Sequence, residues 1–463
     1  MGSVAVAELL AHPALQAVRE IAAGTSFADR VWIVGGAVRD SLQGRGTNAD
    51  LDLVTEADPW PLVELLVERG VTRSTPARFE RFGTAMVQIQ GLQLEFVQAR
   101  TESYGRDSRK PEVKAATLAE DALRRDFTVN AVYLNLSTGE LFDPTGGQAD
   151  LDMGVLRTPK EPGKTFDDDP LRMLRAVRFR WKIGLGYAPG LEDAIEAHAP
   201  RLQIVSAERI REEFLKMLLA ADPTGAMRDL MRLGLIREFA PELVPMDGCT
   251  QNEYHHLDVW EHTLLAVKNS APDMLLRLST LLHDVGKPTT RSVEPDGRVR
   301  FLSHEVVGAD IAAEFMRRLR CSNDEIGAVK LLVRNHMRLG TASKFSASGI
   351  RRAMRDLGDQ LERLFQLMDA DAAALKPGVR ALNMDALRAR FEEVNATTPA
   401  ASLNSPLSGG EIMQLTGIAP GHKIGVAKAH LVEMVLEGTL DPSDREAAIA
   451  ALMAWVETQP KTD

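Results

Sequence analysis

The stretch Val31-Trp-Ile-Val-Gly-Gly-Ala-Val-Arg-Asp40, followed by Asn48-Ala-Asp-Leu-Asp-Leu53, decides the fold of this chain. Its opening β-branched run predicts a buried strand, and Gly35-Gly36 predicts a turn at which the backbone approaches a ligand closely. Asp50 and Asp52 stand two apart in a second apolar run, so strand alternation directs both carboxylates to one face. Such a pair suits hard divalent cations such as Mg²⁺ and the in-line attack of a hydroxyl on a nucleoside triphosphate.

Either half of this pattern alone is common in unrelated proteins, whereas the two halves in this order are specific. The arrangement resembles the nucleotidyltransferase head of the polymerase-beta superfamily. It is most similar to the bacterial and eukaryotic type of tRNA CCA-adding enzymes and their poly(A) polymerase relatives. The resemblance implies that Gly35 and Gly36 border the triphosphate, that Arg39 and Asp40 position it, and that Asp50 and Asp52 are the catalytic residues that bind Mg²⁺.

Length and composition indicate an ordinary globular protein of several domains. The chain has 463 residues, of which 44% are hydrophobic and 26% charged, and single cores rarely grow beyond about 250–300 residues. We expect neither a membrane span nor a secretory signal. The two cysteines, Cys249 and Cys321, lie far apart, which fits a reducing cytoplasm. The net charge of −10 neither supports nor excludes an RNA partner, because affinity for RNA depends on local phosphate contacts.

Hydrophobic periodicity predicts one short helix before residue 25, then a mixed α/β unit, then a long helical region. The predicted strand runs are Val31–Val34, Leu51–Val54, Ala85–Ile89, Leu94–Val97 and Val129–Leu136. From Leu171 onward the sequence has helical period, interrupted by proline and glycine, and almost no strand signal.

The predicted fold class is therefore α+β and multidomain. A small polymerase-beta-like α/β head is followed by an all-helical neck, body and further domain. We expect an N-terminal helix at residues 1–27, the nucleotidyltransferase head at 28–155, a helical neck and body that binds tRNA at 156–250, an HD domain at 251–375, and a C-terminal helical region at 376–463.

A second match lies at Arg124-Arg-Asp-Phe-Thr-Val-Asn-Ala131. A carboxylate accepts hydrogen bonds from ribose hydroxyls, and arginine donates in a fork to phosphate or base acceptors. The run resembles the ribose-recognition motif of the same family. The resemblance implies that Asp126 contacts the 2′-hydroxyl, while Arg125 and Asn130 support the nucleotide.

Two features between these motifs leave alternatives open. Glu95, on an apolar strand, is either a third acidic group near the metals or the partner of an arginine. The polar segment between Arg100 and Arg124 resembles the flexible loop with which the family switches nucleotide. It is slightly short for a full CCA-adding enzyme, which keeps open addition of CC alone.

The helical region opens on Asp168-Asp-Pro-Leu-Arg-Met-Leu-Arg-Ala-Val-Arg-Phe179. Asp169, Arg172, Arg175 and Arg178 recur every three residues, so they share neighbouring parts of one helix face. The run resembles the family's Glu-Asp-x-x-Arg motif, with Asp168 where the glutamate usually stands. The resemblance implies that Asp169 and Arg172 form a protein template for the incoming base, supported by Arg175 and Arg178. A carboxylate and a guanidinium match the hydrogen-bonding groups of cytosine and adenine.

A separate set of histidines and aspartates lies between residues 254 and 371. Isolated histidines are usually structural, but an adjacent His-Asp pair flanked by further histidines and an aspartate rarely arises by chance. The set resembles the HD phosphohydrolase superfamily. The resemblance implies metal ligands at His262, His283, Asp284 and Asp371, with His304 and His336 completing a second metal position.

Mixed nitrogen and carboxylate ligands favour Mn²⁺, Ni²⁺, Co²⁺ or Fe²⁺ over Mg²⁺ alone. Such a centre activates water against a phosphate ester, and the family implies 2′,3′-cyclic phosphates or 2′-phosphates as substrates. The alternative is a structural metal site without turnover. His255 and His256 lie outside the expected ligand set.

The sequence as a whole predicts an enzyme that adds C and A to the 3′ end of tRNA from CTP and ATP, without a nucleic-acid template. A metal-dependent phosphohydrolase activity is expected in addition. Three alternatives stay open: an enzyme that adds only CC or only A, a poly(A) polymerase, and a binding protein with a decayed head.

Overall fold

A computed structural model describes most of the chain. The described residues are 2–46, 50–80, 83–103, 112–252, 255–340, 346–379 and 382–459, and the side chain of Asp50 is not described. The chain divides into a first unit of Met1–Leu218 with Gly225–Phe239, and a second unit of Leu219–Thr224 with Ala240–Asp463. The five-domain division expected from the sequence stays a prediction. Among the described helices, none is long and apolar enough to cross a membrane.

The first unit contains a mixed seven-stranded sheet with the order β3-β4-β5-β2-β1-β8-β9. Its strands are β1 (Trp32–Val34), β2 (Asp50–Thr55), β3 (Ala77–Phe79), β4 (Thr84–Ile89), β5 (Leu92–Gln98), β8 (Tyr133–Asn135) and β9 (Leu141–Phe142); short pairs outside it are β6 (Arg100–Ser103) with β7 (Glu112–Ala115), and β10 (Val155–Leu156) with β11 (Gly186–Tyr187). Strands β2 and β5 are parallel, and the other neighbours in the sheet are antiparallel. Adjacent β1 and β2 bring the two halves of the opening motif together.

The helices of this unit surround the sheet and continue beyond it. They are α1 (Gly2–Leu10), α2 (Pro13–Ala23), α3 (Gly36–Leu42), α4 (Trp60–Glu68), α5 (Leu118–Arg124), α6 (Gly147–Asp152), α7 (Pro162–Asp168), α8 (Leu171–Ile183), α9 (Leu191–His198), α10 (Ala207–Leu218), α11 (Thr224–Arg232) and α12 (Leu235–Phe239). Helix α8 begins directly after Pro170, as the sequence predicts, because proline suits the start of a helix.

Strand alternation gives the sheet two different buried faces. Ile33 and Leu53 belong to one hydrophobic cluster together with Leu15 of α2 and Leu62 of α4. Val34 belongs to a smaller cluster on the opposite face, which also contains residues of α5 and β8. This second face of the sheet also carries polar residues. One of them is Asp52, which is in register with Val34 on the neighbouring strand.

Two predictions for the first unit are wrong in detail. The expected single N-terminal helix is two helices, because Pro13 starts a second helix after a break at residues 11 and 12. The expected strand Val129–Leu136 is a strand only at Tyr133–Asn135, since Thr128–Asn130 form a 3₁₀ turn. That turn aims Asn130 inward instead of continuing the strand.

The second unit is mainly helical. Its helices are α13 (Val259–Asn269), α14 (Met274–Leu282), α15 (Lys287–Thr290), α16 (His304–Arg318), α17 (Asn323–Asn335), α18 (Ala347–Leu357), α19 (Leu361–Ala373), α20 (Met384–Thr397), α21 (Gly409–Thr416), α22 (His422–Glu437) and α23 (Arg445–Thr458). The predicted fold class, an α/β head followed by a helical remainder, is confirmed. The region after Leu171 is mostly helical and also contains β11 and an antiparallel hairpin of β12 (Arg291–Val293) and β13 (Val299–Phe301). The turn of this hairpin contains Pro295, Asp296 and Gly297, and Gly297 has a φ of 82°.

The C-terminal helices share a hydrophobic core with the preceding region. Phe391 of α20, Leu431 of α22 and Leu452 of α23 belong to the same cluster as Leu364 of α19. The region after residue 376 is therefore packed into the second unit.

Candidate active site and metal centre

A cavity of about 600 Å³ opens in the first unit where β1, β2 and α8 meet. It is lined by Gly35, Gly36, Ala37, Arg39, Asp40, Arg45, Gly46, Asp52, Arg125, Asp126, Asn130, Arg175, Arg178, Phe179, Lys182 and Ile183. Ten of the residues predicted for nucleotide binding or catalysis are among them. Asp169 and Arg172 are described but do not line this cavity, and the Asp50 side chain lies outside the described residues.

Asp52 lies at the base of the cavity, in register with Val34 on β1 and with Glu95 on β5. Neighbouring register positions share a face, so Asp52 and Glu95 form an acidic pair across two parallel strands. Gly35 has a φ of 82°, and a Cβ there would stand 3.2 Å from Oδ2 of Asp52. A side chain at position 35 would therefore crowd the carboxylate that the sequence assigns to metal binding.

Arg39 lies on α3, the helix that begins at the Gly35–Gly36 turn, and only 2% of its surface is exposed. Its Nε donates to Oδ1 of Asp40 at 2.8 Å, and its Nη1 donates to Oδ1 of Asn130 at 2.6 Å. These bonds join the Gly-Gly turn to the segment that the sequence assigns to ribose recognition.

Asp126 accepts hydrogen bonds on both carboxylate oxygens. Oδ1 accepts from Nδ2 of Asn130 at 3.0 Å and from the Phe127 amide at 2.8 Å, while Oδ2 accepts from Nε and Nη2 of Arg175 at 2.8 and 2.6 Å. Burial favours the neutral acid, but Arg175 and Asn130 outweigh it and hold the pKa of Asp126 at about 2. Asp126 is therefore an anion at the cavity wall.

Arg125 is held by its own buried partners. Its Nε donates to Oδ2 of Asp121 at 3.0 Å and to Oη of Tyr133 at 3.1 Å, and its guanidinium lies 5.3 Å from the Tyr133 ring centroid. Burial alone would lower the pKa of Arg125, but Tyr133 and Asp121 raise it above the ordinary value. The charge is fixed in place before any nucleotide arrives.

Three guanidinium groups surround Phe179 on α8. The carbon atoms Cζ of Arg39, Arg175 and Arg178 lie 5.2, 5.3 and 4.2 Å from its ring centroid. Arg178 also donates from Nε to Oε2 of Glu213 at 2.6 Å, which ties α8 to α10. Glu213 also lies 3.7 Å from Nη1 of Arg175 through its Oε1, so this buried carboxylate and the aromatic ring together stabilise the neighbouring guanidinium groups.

The expected template pair lies at the start of α8, and its members have separate partners. Asp169 accepts from Arg209 at 2.8 Å and from the Leu171 amide at 3.2 Å. Arg172 is 8% exposed and donates from Nη2 to the carbonyl oxygen of Arg124. Arg172 thus contacts the first residue of the ribose-recognition segment.

The sequence interpretation missed four contributors: Arg45, Phe179 and Lys182 in the cavity wall, and Glu213 behind it. Helical spacing was the available signal for Lys182, because it follows Arg178 by four residues and so continues the same face of α8. Burial and the cations Arg39 and Arg178 lower the pKa of Lys182. Arg45, in a Gly-Arg-Gly linker, carried no comparable signal.

The second unit brings together all six residues predicted as HD metal ligands. His262 lies on α13, His283 directly follows α14, His304 begins α16 and His336 directly follows α17. Nδ1 of every one of these histidines donates to a main-chain carbonyl oxygen. The acceptor is Ala374 for His262, at 3.3 Å, and Thr280 for His283, at 2.6 Å. It is Phe301 for His304, at 2.8 Å, and Val333 for His336, at 2.7 Å. A carbonyl only accepts, so Nδ1 carries a proton in each ring and Nε2 is the nitrogen that a metal would bind.

Asp284 faces two histidine pairs at once. Its Oδ2 lies 3.2 Å from Nε2 of His283 and 3.7 Å from Nε2 of His262, whereas its Oδ1 lies 3.4 Å from Nε2 of His304 and 3.9 Å from Nε2 of His336. The two sets His262–His283–Asp284 and Asp284–His304–His336 each place their ligand atoms within 4.8 Å of one another. One carboxylate is thus shared by two candidate metal positions.

Asp371 adds a second carboxylate to the first set, with Oδ1 at 2.9 Å from Nε2 of His262 and 3.6 Å from Nε2 of His283. Burial opposes their charge, yet the neighbouring histidines, and for Asp284 also Lys287, hold the pKa of Asp284 and Asp371 well below the usual range. Burial and nearby cationic groups lower the pKa of His336 to about 3. Charged carboxylates and a neutral imidazole are the forms that bind metals.

The donor set fits a divalent metal. Nε2 of His283 is buried without a hydrogen bond among the described residues, although a carboxylate oxygen is 3.2 Å away. A buried polar atom without a partner is costly unless a ligand satisfies it. His255, which the sequence interpretation set aside, packs edge-on against His262 with ring centroids 4.8 Å apart, and is therefore a neighbour of the centre.

Comparison with known protein families gives three matches along the chain. Residues 31–157 match the poly A polymerase head domain, residues 187–246 match the "Probable RNA and SrmB- binding site of polymerase A", and residues 253–374 match the HD domain. Nucleotidyltransferase and HD domains generally use divalent metals.

Two curated relatives align over nearly the whole chain. The A-adding tRNA nucleotidyltransferase of Deinococcus radiodurans is 34% identical over 92% of this chain and 96% of its own length. The CC-adding tRNA nucleotidyltransferase of Thermus thermophilus is 36% identical over 91% of this chain and 93% of its own length.

The solved structure of the Bacillus stearothermophilus CCA-adding enzyme in complex with CTP shares the fold. It is 22% identical, with a TM-score of 0.66 over 96% of this chain and 98% of that one. The chain belongs to the tRNA nucleotidyltransferase family with a poly(A) polymerase-type head and a fused HD domain.

Proposed function

We propose that this protein adds C and A to the 3′ end of tRNA, taking CTP and ATP as substrates. The observation that carries the proposal is one cavity that unites Asp52, the Gly35–Gly36 turn, Arg39, Asp126 and the arginines of α8. Similarity to an A-adding and a CC-adding relative over more than nine tenths of the chain supports tRNA as the acceptor. The match to an RNA-binding family at residues 187–246 supports a helical neck that contacts the tRNA.

In the proposed reaction, the 3′-terminal hydroxyl of the tRNA attacks the α-phosphorus of the nucleotide. A new phosphodiester bond forms, the bond from the α-phosphorus to the bridging oxygen breaks, and pyrophosphate leaves. Asp50 and Asp52 would hold Mg²⁺, which supplies electrostatic stabilisation of the attacking and leaving oxygens when it is bound. Arg39, with Asp40 orienting it, binds the triphosphate beside Gly35 and Gly36.

The remaining residues of the site choose the nucleotide in this proposal. Asp126, oriented by Asn130, accepts from the 2′-hydroxyl of the ribose, and Arg175 keeps its carboxylate ionised. Asp169 and Arg172 select cytosine and adenine, because the carboxylate accepts from the exocyclic amine and the guanidinium donates to ring acceptors. Guanine and uracil present the opposite pattern at these positions.

Partial addition is the second candidate function. The two curated relatives are named for A addition and for CC addition, and the chain resembles them almost equally. The segment between Arg100 and Arg124 that would distinguish full from partial enzymes is described only at its two ends, which form β6, β7 and α5. Its middle, with Arg106, Arg109 and Lys110, lies outside the described residues.

One assay separates these possibilities. Purified protein is incubated with tRNA transcripts that end before CCA, after C and after CC, each with one labelled nucleoside triphosphate. Full addition predicts C on the first two transcripts and A on the third. Addition of C alone or A alone identifies a partial enzyme, long A tails identify a poly(A) polymerase, and no incorporation on any transcript contradicts the proposal.

The HD centre has a proposed reaction of its own, hydrolysis of 2′,3′-cyclic phosphates or 2′-phosphates with Mn²⁺, Ni²⁺, Co²⁺ or Fe²⁺. His262, His283, Asp284 and Asp371 would hold the first metal, and His304 with His336 and Asp284 the second; a bound metal lowers the pKa of a water nucleophile. In the cyclic substrate, water attacks phosphorus, the bond to one ribose oxygen breaks, and that oxygen takes the proton. Ring opening or phosphate release that depends on added metal tests this; no turnover with any of the four metals favours a structural site.

We also propose a cytoplasmic location. Two observations support it: Cys249 and Cys321 are free thiols, and the proposed reaction acts on tRNA.

A further inference from the structure

A buried lysine stands against the HD metal ligands. Lys287 follows Asp284 by three residues, begins α15 and is only 7% exposed. Its Nζ lies 2.6 Å from Oδ2 of Asp284 and donates to Oε1 of Gln251 at 2.7 Å. Oδ2 is the same oxygen that faces His262 and His283, so the ammonium and a metal in the first ligand set would share one carboxylate atom.

The surroundings hold Lys287 in this position. A Cβ at the preceding Gly286 would stand 2.2 Å from the carbonyl oxygen of His304, so the backbone is packed against α16. Gln251 is itself anchored, because its Nε2 donates to the carbonyl oxygens of Leu257 and Asp258 at 3.3 and 3.2 Å. The Lys287 side chain also packs over Phe301, 5.5 Å from the ring centroid.

The charge balance of the first ligand set follows from this placement. Asp284 and Asp371 supply two negative charges, and Lys287 cancels one of them at contact distance. Repulsion between an ammonium and a dication is strong where both are removed from water. Burial keeps that repulsion from being screened by salt.

We propose that Lys287 is a built-in counter-cation that weakens divalent metal binding at His262, His283 and Asp284. The inference rests on the proposed metal centre and concerns its affinity, not its reaction. In the protein without metal, Lys287 stabilises the buried carboxylate of Asp284; with metal bound, the two cations compete for it. If Lys287 instead improved metal affinity by orienting Asp284, a neutral residue at position 287 would weaken metal binding.

Metal titration of the full-length protein tests whether Lys287 weakens or strengthens metal binding. The dissociation constants for Ni²⁺ and Mn²⁺ are measured by calorimetry for wild type, Lys287→Met and Lys287→Gln. We expect both neutral variants to bind metal at least tenfold more tightly, and Lys287→Arg, which keeps the charge, to bind like wild type. Lys268→Met is the matched control, because it removes the same charge from an exposed lysine that pairs with Asp222.

Thermal unfolding gives a second measurement that needs no turnover. Removing one partner of a buried ion pair leaves the other uncompensated, so Lys287→Met and Lys287→Gln should unfold at lower temperature without metal and gain more from added metal than wild type does. If a neutral variant binds metal as tightly as wild type or more weakly, the proposed role of Lys287 is wrong, while the proposed metal centre is unaffected. Failure of the wild type to bind either metal overturns the metal centre itself.

Discussion

Arg175 donates from both Nε and Nη2 to a single carboxylate oxygen of Asp126, at 2.8 and 2.6 Å. The other oxygen of Asp126 is occupied by Asn130 and the Phe127 amide. The carboxylate that the sequence assigns to ribose recognition is therefore oriented by the protein before any nucleotide binds. This ion pair joins α8 to the segment after α5, and so links the nucleotide site to the stability of the first unit.

This link predicts a pH-dependent contribution to stability. The pKa of Asp126 is about 2 in the folded protein, below the value of about 3.9 of an unfolded aspartate. The depressed pKa means that the stabilisation is fully present above about pH 4 and is lost as the pH falls through about 2. Asp126→Asn should cost about 1.5–3 kcal/mol at pH 7, and the cost should shrink between pH 4 and 2.

Chemical denaturation of both proteins across this pH range measures the difference. Asp58→Asn is the matched control, because Asp58 pairs with Arg78 at 3.1 Å where both side chains are at least a third exposed. That variant should cost little at any pH. A cost for Asp126→Asn that stays constant down to pH 2 contradicts the assignment.

Replacing Phe179 tests whether its ring positions the three surrounding arginines. Phe179→Leu keeps an apolar side chain but removes the ring that Arg39, Arg175 and Arg178 face. Loss of a cation–π contact costs about 0.5–2 kcal/mol, so KM for CTP and ATP should rise roughly 2- to 30-fold, with a smaller effect on kcat. Steady-state kinetics at saturating tRNA measures the two constants separately.

Two comparisons make this result specific. Phe179→Tyr keeps the ring face and should stay close to wild type in KM. The Phe127–Phe179 edge contact is lost in Phe179→Leu as well, so melting temperatures of both variants are recorded. A kcat that falls while KM is unchanged would show that the ring does not position the triphosphate-binding arginines.

Sequence reasoning reached the parts of the head that depend on local pattern. The Gly35 turn and the position of Asp52 on β2 follow from residue type and strand alternation, both of which act over a few residues. Val129 is β-branched and suggested a strand, but the structure uses Thr128–Asn130 as a 3₁₀ turn. Tertiary demand decided that segment, since Asn130 has to reach Arg39 and Asp126.

Contacts between residues that lie far apart along the chain could not be predicted from the sequence. Nothing local to Glu213 indicates that it binds Arg178, 35 residues away. In the second unit the ligand histidines were found by their spacing, whereas the link from Lys287 to Gln251 joins residues 36 apart. Such pairings are set by how helices pack, which a pattern within one helix does not encode.

The start of α8 predicts a change in base selection. In the proposed function Arg172 donates to the incoming base, and a specific base contact is worth about 1–3 kcal/mol of discrimination. Arg172→Ala should therefore reduce the preference for CTP and ATP over UTP and GTP by about 5- to 150-fold. Competition between labelled nucleotides measures this preference, on a tRNA that ends before CCA for CTP and on a tRNA that ends after CC for ATP.

Arg201→Ala is the matched control for that variant. Arg201 pairs with Asp167 at 3.1 Å on the same part of the chain and is about a third exposed. Its removal should leave nucleotide preference unchanged. Equal preferences in Arg172→Ala and wild type would remove Arg172 from the template role.

The two candidate centres lie in different units and should fail independently. Asp52→Asn removes a proposed Mg²⁺ ligand, and we expect nucleotide addition to fall by at least on the order of 10²–10³-fold while metal-dependent phosphohydrolysis persists. His283→Ala removes a buried ligand of the first HD set, so phosphohydrolysis should disappear while nucleotide addition continues. Both activities are measured on the same preparations, with circular dichroism to confirm folding. If His283→Ala also abolished nucleotide addition in a folded protein, the two reactions would share a residue or a conformational step, and the separate assignment of the centres would be wrong.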